Sequence, residues 1–287
     1  MKVYAKSACV VAEGPRWNDV EKALYWVDVT AGRYLRHFDG DPSDRFEEVD
    51  PHLGNIGALA FRNGKLLLFT SGCRVWECAF GEKPVLKYEL ADHRERRFND
   101  VWADGGNFFC GVARDPSHPG ELWRLSADGT FTCIERATKG MPNGMGVSPD
   151  GKTFYFTVTD ERRIYAYDYD RAIGELTNRR IFVDDFAGEG MPDGMCVDPS
   201  DGSVFVAMWD GSRLEHRAVD GRLIGTVRFP MKKVTSAEVV GDRVFVTTGN
   251  KADDPAAYHA ATGAGSVFEI STGECKDEVA REGGGGE

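Results

Sequence analysis

The chain has 287 residues, of which 41% are hydrophobic and 28% charged, an ordinary composition for one large folded domain or two smaller ones. Its net charge of −11 argues against nonspecific binding to nucleic acid or to an anionic membrane, since both attract basic surfaces. No apolar run reaches the roughly 20 residues that span a membrane, and residues 1–17 lack the apolar segment of a signal peptide. We therefore expect a cytoplasmic protein.

A pattern of strand-like segments repeats along the chain about every 43 to 50 residues. We call the residue that opens each repeat its anchor, and in chain order the anchors are Glu13, Ile56, Asn99, Asn143, Asp193 and Ser236. The fourth and fifth repeats are near copies where they begin, MPNGMGVSPDG at 141–151 and MPDGMCVDPSDG at 191–202. A period of this length is typical of architectures built from one repeated unit.

Each repeat contains the same predicted elements in the same order. A short strand follows the anchor and ends at a turn, at 18–22, 62–65, 104–107, 149–152, 200–203 and 241–243. Asn-Gly and Asp-Gly pairs in several of these turns favour tight hairpins. A second strand, rich in β-branched and aromatic residues, is predicted at 24–29, 66–71, 108–113, 154–159, 204–209 and 244–249. A third, alternating strand is predicted at 33–38, 74–80, 121–126, 163–169, 213–219 and 266–271.

A fourth strand is predicted in only five repeats, at 45–50, 85–90, 131–136, 179–184 and 225–229. Residues 2–8 (KVYAKSA) could supply the missing strand of the sixth repeat. Four short antiparallel strands per repeat, six times over, predict an all-β fold, a six-bladed β-propeller of four-stranded antiparallel blades. The N-terminal strand is expected to close the last blade. We expect a single domain over 1–280 and a disordered glycine-rich tail at 281–287.

The six anchors are expected to form one ring, because the innermost strand of each propeller blade lines the central channel. Five of them are polar, and two, Glu13 and Asp193, are carboxylates, which are costly to bury without a cation or a hydrogen-bond donor. Oxygen ligands without His or Cys favour hard ions such as Ca²⁺, Mg²⁺ or Mn²⁺. The alternative is a polar channel that holds only water. Ile56 offers no ligand in either case.

Several motifs carry a resemblance to a known family. They are EGPRW at 13–17, LYWVD at 24–28, RRFND at 96–100, NGMGVSPDGKTFYFTVT at 143–159, YAYDYD at 165–170 and MPDGMCVD at 191–198. Together these motifs resemble the SMP-30/gluconolactonase/LRE-like family over about residues 10 to 270. The resemblance implies a six-bladed propeller with one divalent metal ion in its channel. It also implies metal ligands at Glu13, Asn143 and Asp193 and substrate-binding residues at Arg97 and Asn99.

One loop departs from the family pattern. The loop after the second strand of blade 3 often carries a further acidic substrate contact in the family, and here residues 112–123 read VARDPSHPGELW. Asp115 is the candidate for this contact, with Arg114 as the alternative in the same loop.

The resemblance implies that the protein hydrolyses sugar lactones to aldonic acids, with the metal ion as Lewis acid. Asp193 is the candidate general base, and an alternative leaves it as a metal ligand only. Ca²⁺ is the preferred ion, with Zn²⁺, Mn²⁺ or Mg²⁺ as alternatives. Two other functions stay open: hydrolysis of organophosphates or other esters at the same site, and a non-enzymatic calcium-binding propeller. The expected partner is a small-molecule sugar lactone, with no nucleic acid and no membrane.

Overall fold

The computed structural model describes residues 1–138 and 140–274, which form 24 β-strands in six sheets of four. Neighbouring strands within each sheet are antiparallel. The innermost strands of successive sheets contact one another in a closed ring. The prediction of an all-β, six-bladed propeller is confirmed. The predicted tail at 281–287 and the predicted domain end at 280 lie outside the described residues.

Each sheet is one blade, and in blades 1 to 5 the four strands follow one another along the chain from the channel outward. Blade 1 contains β2 (Ala12–Asn18), β3 (Ala23–Asp28), β4 (Arg33–Phe38) and β5 (Glu47–Val49), and blade 2 contains β6 (Ile56–Arg62), β7 (Lys65–Thr70), β8 (Arg74–Cys78) and β9 (Val85–Glu89). Blade 3 contains β10 (Phe98–Asp104), β11 (Asn107–Val112), β12 (Gly120–Leu125) and β13 (Phe131–Thr138), and blade 4 contains β14 (Pro142–Val147), β15 (Thr153–Val158), β16 (Arg163–Asp170) and β17 (Glu175–Val183). Blade 5 contains β18 (Met191–Val197), β19 (Val204–Trp209), β20 (Arg213–Arg217) and β21 (Leu223–Arg228).

Blade 6 joins the two ends of the described chain. It contains β22 (Lys233–Val240), β23 (Arg243–Gly249), β24 (Val267–Ser271) and, as its outermost strand, β1 (Lys2–Ala5). Strand β1 pairs with β24, with Val3 opposite Phe268, so the prediction that the N-terminal strand closes the last blade is confirmed. Helix α1 (Pro255–Thr262) lies between β23 and β24 and was not predicted. The Asp254 side chain accepts a hydrogen bond from the Ala257 N–H at 3.1 Å and so caps this helix.

The blades adhere to one another through six clusters of buried apolar side chains, one between each pair of adjacent blades in the described part of the chain. All six residues of β3 are buried, because its two faces pack against different neighbouring blades. Between blades 2 and 3, Phe69 and Phe98 pack edge to face with ring centroids 5.7 Å apart. Burying each such ring stabilises the fold by about 2–3 kcal/mol. Apolar contact between blades thus holds the inner strands in fixed positions around the channel.

Every inner strand carries a register shift at its anchor. The breaks lie between Glu13 and Arg16, Ile56 and Ala58, Phe98 and Val101, Pro142 and Met145, Pro192 and Met195, and Val234 and Ser236. In each case the inner strand has one more residue than its partner strand, which is the definition of a β-bulge. A bulge changes the direction in which a side chain points, so the repeated bulges set which residues face the channel.

The glycine after several anchors is required by the close approach of the next inner strand. A Cβ atom at Gly144 would lie 2.3 Å from the Met195 nitrogen, and one at Gly194 would lie 2.3 Å from the Ser236 hydroxyl oxygen. A Cβ atom at Gly57 would lie 2.2 Å from the Phe98 carbonyl oxygen. These distances leave no room for any side chain. The repeated Asn-Gly and Asp-Gly pairs therefore combine a polar side chain at the channel with the tight packing of neighbouring blades.

Arg16 ties three blades together within the channel. Its guanidinium donates to the Val101 carbonyl oxygen of blade 3 at 3.0 Å and forms an ion pair with Glu238 of blade 6 at 3.5 Å. The guanidinium also lies over the Trp102 ring, 5.3 Å from its centroid. Because Arg16 belongs to blade 1, its contacts with blade 3 link inner strands that are not adjacent in the ring, whereas its ion pair joins it to the adjacent blade 6.

Candidate metal and substrate site

Four anchors from four different blades line one cavity of about 430 Å³. They are Glu13 of blade 1, Asn99 of blade 3, Asn143 of blade 4 and Asp193 of blade 5. Glu13, Asn143 and Asp193 are buried, and Asn99 is half-buried. The three expected metal ligands and the two expected substrate-binding residues, Arg97 and Asn99, are thus brought together in one cavity.

The other two anchors do not line this cavity, so the expected ring of six is incomplete. Ile56 is fully buried in the apolar cluster between blades 1 and 2. The Ser236 side chain is buried against Gly194 of the neighbouring inner strand. Blade 2 instead contributes Asn55, the residue before its anchor, whose amide donates to the Val29 carbonyl oxygen at 3.1 Å.

The two buried carboxylates of the cavity have few hydrogen-bond donors. From the part of the chain that the structure describes, the Glu13 carboxylate accepts one bond, from the Gly14 N–H at 3.1 Å. No described residue donates a hydrogen bond to the Asp193 carboxylate. Burial raises the pKa of both groups well above the usual range of a carboxyl, and the negative charge of Asp193 raises the pKa of Glu13 further. The negative charge of Asp100 also raises both, whereas the Arg97 guanidinium lowers both.

A chain of hydrogen bonds fixes the amides of the site. Arg97 donates from Nη1 to Asn99 Oδ1 at 2.7 Å, and Asn99 donates from Nδ2 to Asn143 Oδ1 at 2.6 Å. Asn143 then donates from Nδ2 to Thr159 Oγ1 at 2.6 Å, and the Thr159 hydroxyl donates to the Pro192 carbonyl oxygen at 2.8 Å. Because Thr159 accepts from Nδ2, the Asn143 oxygen is assigned to the side that faces Asn99. An amide oxygen accepts two contacts, so Asn143 Oδ1 can also contact a cation.

The structure places Asp115 outside this cavity. Its carboxylate accepts bonds from the Ser117 N–H at 2.7 Å and the His118 N–H at 2.8 Å, so it closes its own loop. These bonds lower the pKa of Asp115, the Ser117 bond most strongly. Arg114, the alternative in the same loop, does line the cavity and forms an ion pair with Asp160 at 2.7 Å. Substrate contact by Asp115 stays a prediction.

A second group of cavity residues was missed by sequence reasoning, with the exception of Arg114. They lie at the end of the second strand of five blades or within two residues after it, and they are Thr30, Arg114, Asp160, Trp209 and Lys251. Their common position in the repeat is a signal that the sequence contains. Their residue types differ from blade to blade, so a search for repeated residue types does not find them.

His, Cys, Asp and Glu, the side chains that most often bind metal ions, do not form a complete ligand set among the described residues. Among the described residues, no group of three or more His, Cys, Asp and Glu side chains is arranged to hold a metal ion. The cavity lining supplies further oxygen donors in the amides of Asn55, Asn99 and Asn143. In the part of the chain that the structure describes, no helix is long and apolar enough to span a membrane.

The fold and the cavity define a six-bladed propeller with one acidic, oxygen-rich site in its channel. The sequence model of the SMP-30/Gluconolactonase/LRE-like region matches residues 11–250, and the chain belongs to this family. It is 37% identical over 273 residues to pentonolactonase XacC of Haloferax volcanii, with 92% of this chain and 91% of that protein covered. It is 28% identical over 283 residues to regucalcin of Homo sapiens, with 92% and 91% covered.

A solved structure supports the fold. It is described as a calcium-binding protein, regucalcin, from Agrobacterium tumefaciens, and it matches with a TM-score of 0.83 at 23% identity. The match covers 94% of this chain and 92% of that one. At this level of identity the likeness concerns the fold alone.

Proposed function

We propose that the protein is a divalent-metal-dependent lactonase that hydrolyses sugar lactones to aldonic acids in the channel cavity. The observation that carries this proposal is the convergence of Glu13, Asn143 and Asp193 from three blades on one cavity. The similarity to a protein named pentonolactonase supports the substrate class. A small-molecule partner rather than nucleic acid or membrane, and a cytoplasmic location, stay predictions.

The side chains of the cavity fit a hard divalent ion. Two carboxylates and one amide offer only oxygen ligands, which Ca²⁺, Mg²⁺ and Mn²⁺ prefer. The Asp193 carboxylate is buried and has no hydrogen-bond donor among residues 1–138 and 140–274, so a bound cation would offset its negative charge. We propose Ca²⁺ first, since two similar proteins are named regucalcin and one of them is described as calcium-binding. Zn²⁺, Mn²⁺ and Mg²⁺ are the alternatives.

The residues of the cavity have distinct roles in the proposed reaction. An ion held by Glu13, Asn143 and Asp193 would act as a Lewis acid toward the lactone carbonyl oxygen. Asp193 accepts a proton from the attacking water at a carboxylate oxygen. When the ring C–O bond breaks, the leaving oxygen takes this proton back. Arg97 and Asn99 donate hydrogen bonds to oxygens of the sugar and hold the lactone against the carboxylate.

Proton release from aldonolactones tests this proposal. The purified protein is stripped with EDTA, and single divalent ions are then restored one at a time. We expect lactone hydrolysis to vanish on chelation and to return with one ion. The assay uses lactones with five- and six-membered rings, and at least one ring size should be hydrolysed. Rates equal to spontaneous hydrolysis, measured with metal bound, would exclude the lactonase. Phosphotriesters and simple esters assayed in parallel would then separate another hydrolase from a non-enzymatic calcium-binding protein.

Thr159 is a positioning residue for the proposed metal ligand Asn143. We expect Thr159→Val to weaken metal binding about ten- to hundredfold, the usual effect of losing a partner that orients a ligand. Without the hydroxyl, the Asn143 amide loses its acceptor and no longer holds its oxygen toward the cation. Thr159→Ser keeps the hydroxyl and should keep the affinity. The measurement is titration calorimetry of the chelator-stripped protein with Ca²⁺.

Thr157 provides a matched control for this substitution. It lies two residues earlier in the same blade, is fully buried, and its hydroxyl has no hydrogen-bond partner among the described residues. Thr157→Val should therefore leave metal affinity within about twofold, because no bond is lost. Equal metal affinities of the Thr159→Val variant and the unmodified protein would show that Thr159 does not orient Asn143.

A further inference from the structure

The cavity contains two cations that form no ion pair. Of its three cationic residues, Arg114 is paired with Asp160 at 2.7 Å. Among the described residues, Arg97 donates to the Phe98 carbonyl oxygen at 3.0 Å and to the Asn99 side chain at 2.7 Å. Within the described residues, no carboxylate lies within 4.0 Å of the Lys251 ammonium, and the same is true of the Arg97 guanidinium.

These two cations belong to opposite sides of the propeller. The inner strands contact one another in the order β2, β6, β10, β14, β18 and β22, and β22 returns to β2. Blade 3 is therefore opposite blade 6 in the ring. Arg97 directly precedes β10 of blade 3, and Lys251 follows β23 of blade 6 by two residues. The proposed metal ligands come from blades 1, 4 and 5. Blade 6 contributes the charged side chain of Lys251 to the cavity lining.

The surroundings of Lys251 favour a polar ligand at the mouth of the cavity. Its ammonium is exposed and lies 5.7 Å from the centroid of the Trp209 ring, which also lines the cavity. A neighbouring cavity of about 300 Å³ shares Lys251 and adds three charged residues, Lys232, Lys233 and Asp253. Lys233 forms an ion pair with Asp210, whereas Lys232 has no carboxylate within 4.0 Å among the described residues. Unpaired lysines at this mouth contrast with the net charge of −11 of the whole chain.

The charges of the cavity do not balance with a neutral substrate. A divalent ion would offset Glu13 and Asp193, and Asp160 offsets Arg114. The negative charges of Asp100, Glu13 and Asp193 act on Arg97, whereas no described carboxylate lies within 4.0 Å of the Lys251 ammonium, so the positive charge at Lys251 is left without an ion-pair partner. A neutral aldonolactone offers hydroxyl groups to Lys251, but no charge. An ammonium group is a point charge that binds a carboxylate or a phosphate more strongly than a hydroxyl.

We propose that the protein acts on sugar lactones with a terminal anionic group, and that Lys251 binds this group while the lactone ring lies between Arg97 and Asp193. The anionic group is a carboxylate or a phosphate ester at the end of the sugar remote from the lactone carbonyl. Lys251 is thus a specificity-determining residue. This inference rests on the proposed lactonase function, and it deepens it by naming the substrate class.

The test compares three lactones of the same ring size: a neutral hexonolactone, a hexarolactone with a terminal carboxylate, and a hexonolactone with a terminal phosphate. We expect kcat/KM to be at least about tenfold higher for one of the anionic lactones than for the neutral one. Lys251→Gln should lower kcat/KM for the preferred anionic lactone about tenfold more than for the neutral one and so remove this preference. Lys251→Arg should retain it. The preferred anionic lactone then identifies carboxylate or phosphate as the recognised group.

Lys83→Gln is the control, since Lys83 is exposed on blade 2 and lines none of the cavities described above. It should leave all three lactones unchanged. The preference should also weaken between about 0.05 and 0.5 M salt, because Lys251 is exposed and its charge is screened. Equal kcat/KM for neutral and anionic lactones, or an equal loss for all three in Lys251→Gln, would overturn the proposal.

A binding measurement separates this inference from the proposed function. Titration calorimetry of the Ca²⁺-loaded protein with hexarate and with a phosphohexonate, the open-chain products, reports on Lys251 without catalysis. Weaker binding of one of these anions to Lys251→Gln by about tenfold supports the subsite even if no lactone is hydrolysed. Equal binding of both anions by the unmodified protein and Lys251→Gln overturns the subsite, whatever the lactonase assay gives.

Discussion

Replacing Asp193 with asparagine is expected to lower kcat for lactone hydrolysis by about a thousandfold or more. The substitution preserves the size of the side chain and one of its oxygens. It removes the negative charge that would bind the ion and the group that would accept the proton from water. Asp193 is buried and no described residue donates a hydrogen bond to it, so no fold-stabilising contact is lost. The measurement is kcat at saturating metal and lactone, with circular dichroism to confirm the fold.

Asp198→Asn is the matched control for this experiment. Asp198 directly follows the same strand and is also buried, but it accepts bonds from the Ser200 N–H at 2.8 Å and the Ser200 hydroxyl at 2.6 Å. It does not line the cavity. Its asparagine variant keeps an acceptor oxygen, so kcat should change by less than about threefold. An Asp193→Asn variant that keeps more than about a tenth of kcat would contradict both proposed roles of Asp193.

Removing the metal ion is expected to lower the thermal midpoint by about 5–10 °C at neutral pH, in addition to abolishing activity. A ligand present at about 100 times its dissociation constant stabilises the folded state by about 2.7 kcal/mol. For a chain of this size, each kcal/mol shifts the midpoint by about 2–4 °C. The physical cause is the proximity of Glu13 and Asp193, whose buried carboxylates raise each other's free energy when no cation separates them. Differential scanning calorimetry with and without EDTA measures the shift.

The decrease in thermal midpoint on metal removal should become larger as the pH rises, because the pKa values of the buried carboxylates are raised in the metal-free fold. In the metal-free fold the pKa values of Glu13 and Asp193 are raised above their unfolded values of about 4. Protonation therefore favours the folded state, and stability is lost as pH rises from about 4 through the raised values. Burial also raises the pKa of Asp100, to about 6, and that of Glu238. The negative charge of Asp100 acts on both Glu13 and Asp193, so the difference between the metal-free and metal-bound states reports on these three carboxylates together.

The Asp193→Asn variant provides the control for the pH dependence. It removes one of the two interacting carboxylates, so its metal-free midpoint should exceed that of the unmodified protein above about pH 6. The difference in thermal midpoint between metal-free and metal-treated samples should also be smaller for this variant than for the unmodified protein. Midpoints that do not respond to EDTA at any pH between 5 and 8 would argue that no cation is bound between these carboxylates.

The repeat determined most of what the sequence reveals. Hairpin turns and strand periodicity are local signals, and six copies at similar spacing leave few alternatives to a closed ring of blades. Equivalent positions in equivalent repeats must also lie at similar depth around the channel. This is why the convergence of Glu13, Asn99, Asn143 and Asp193 could be expected from the sequence. The start of helix α1 also has a local signal, because Asp254 and Pro255 form a common helix start.

Only the tertiary structure decided which side chains face the cavity where a strand's register shifts by one residue or where a loop carries the side chain. In blade 2 the bulge places Ile56 in the core and Asn55 at the cavity, and adjacent residues of a strand face opposite sides. The 112–123 loop turns Asp115 toward its own backbone and leaves Arg114 at the cavity. Thr159 and Lys251 reach the site from the ends of second strands, where their positions depend on how neighbouring blades pack. The sequence alone thus determined the fold and the polar anchors, because both follow from the repeat. The contacts around those anchors differ from blade to blade, and only the packed propeller decides them.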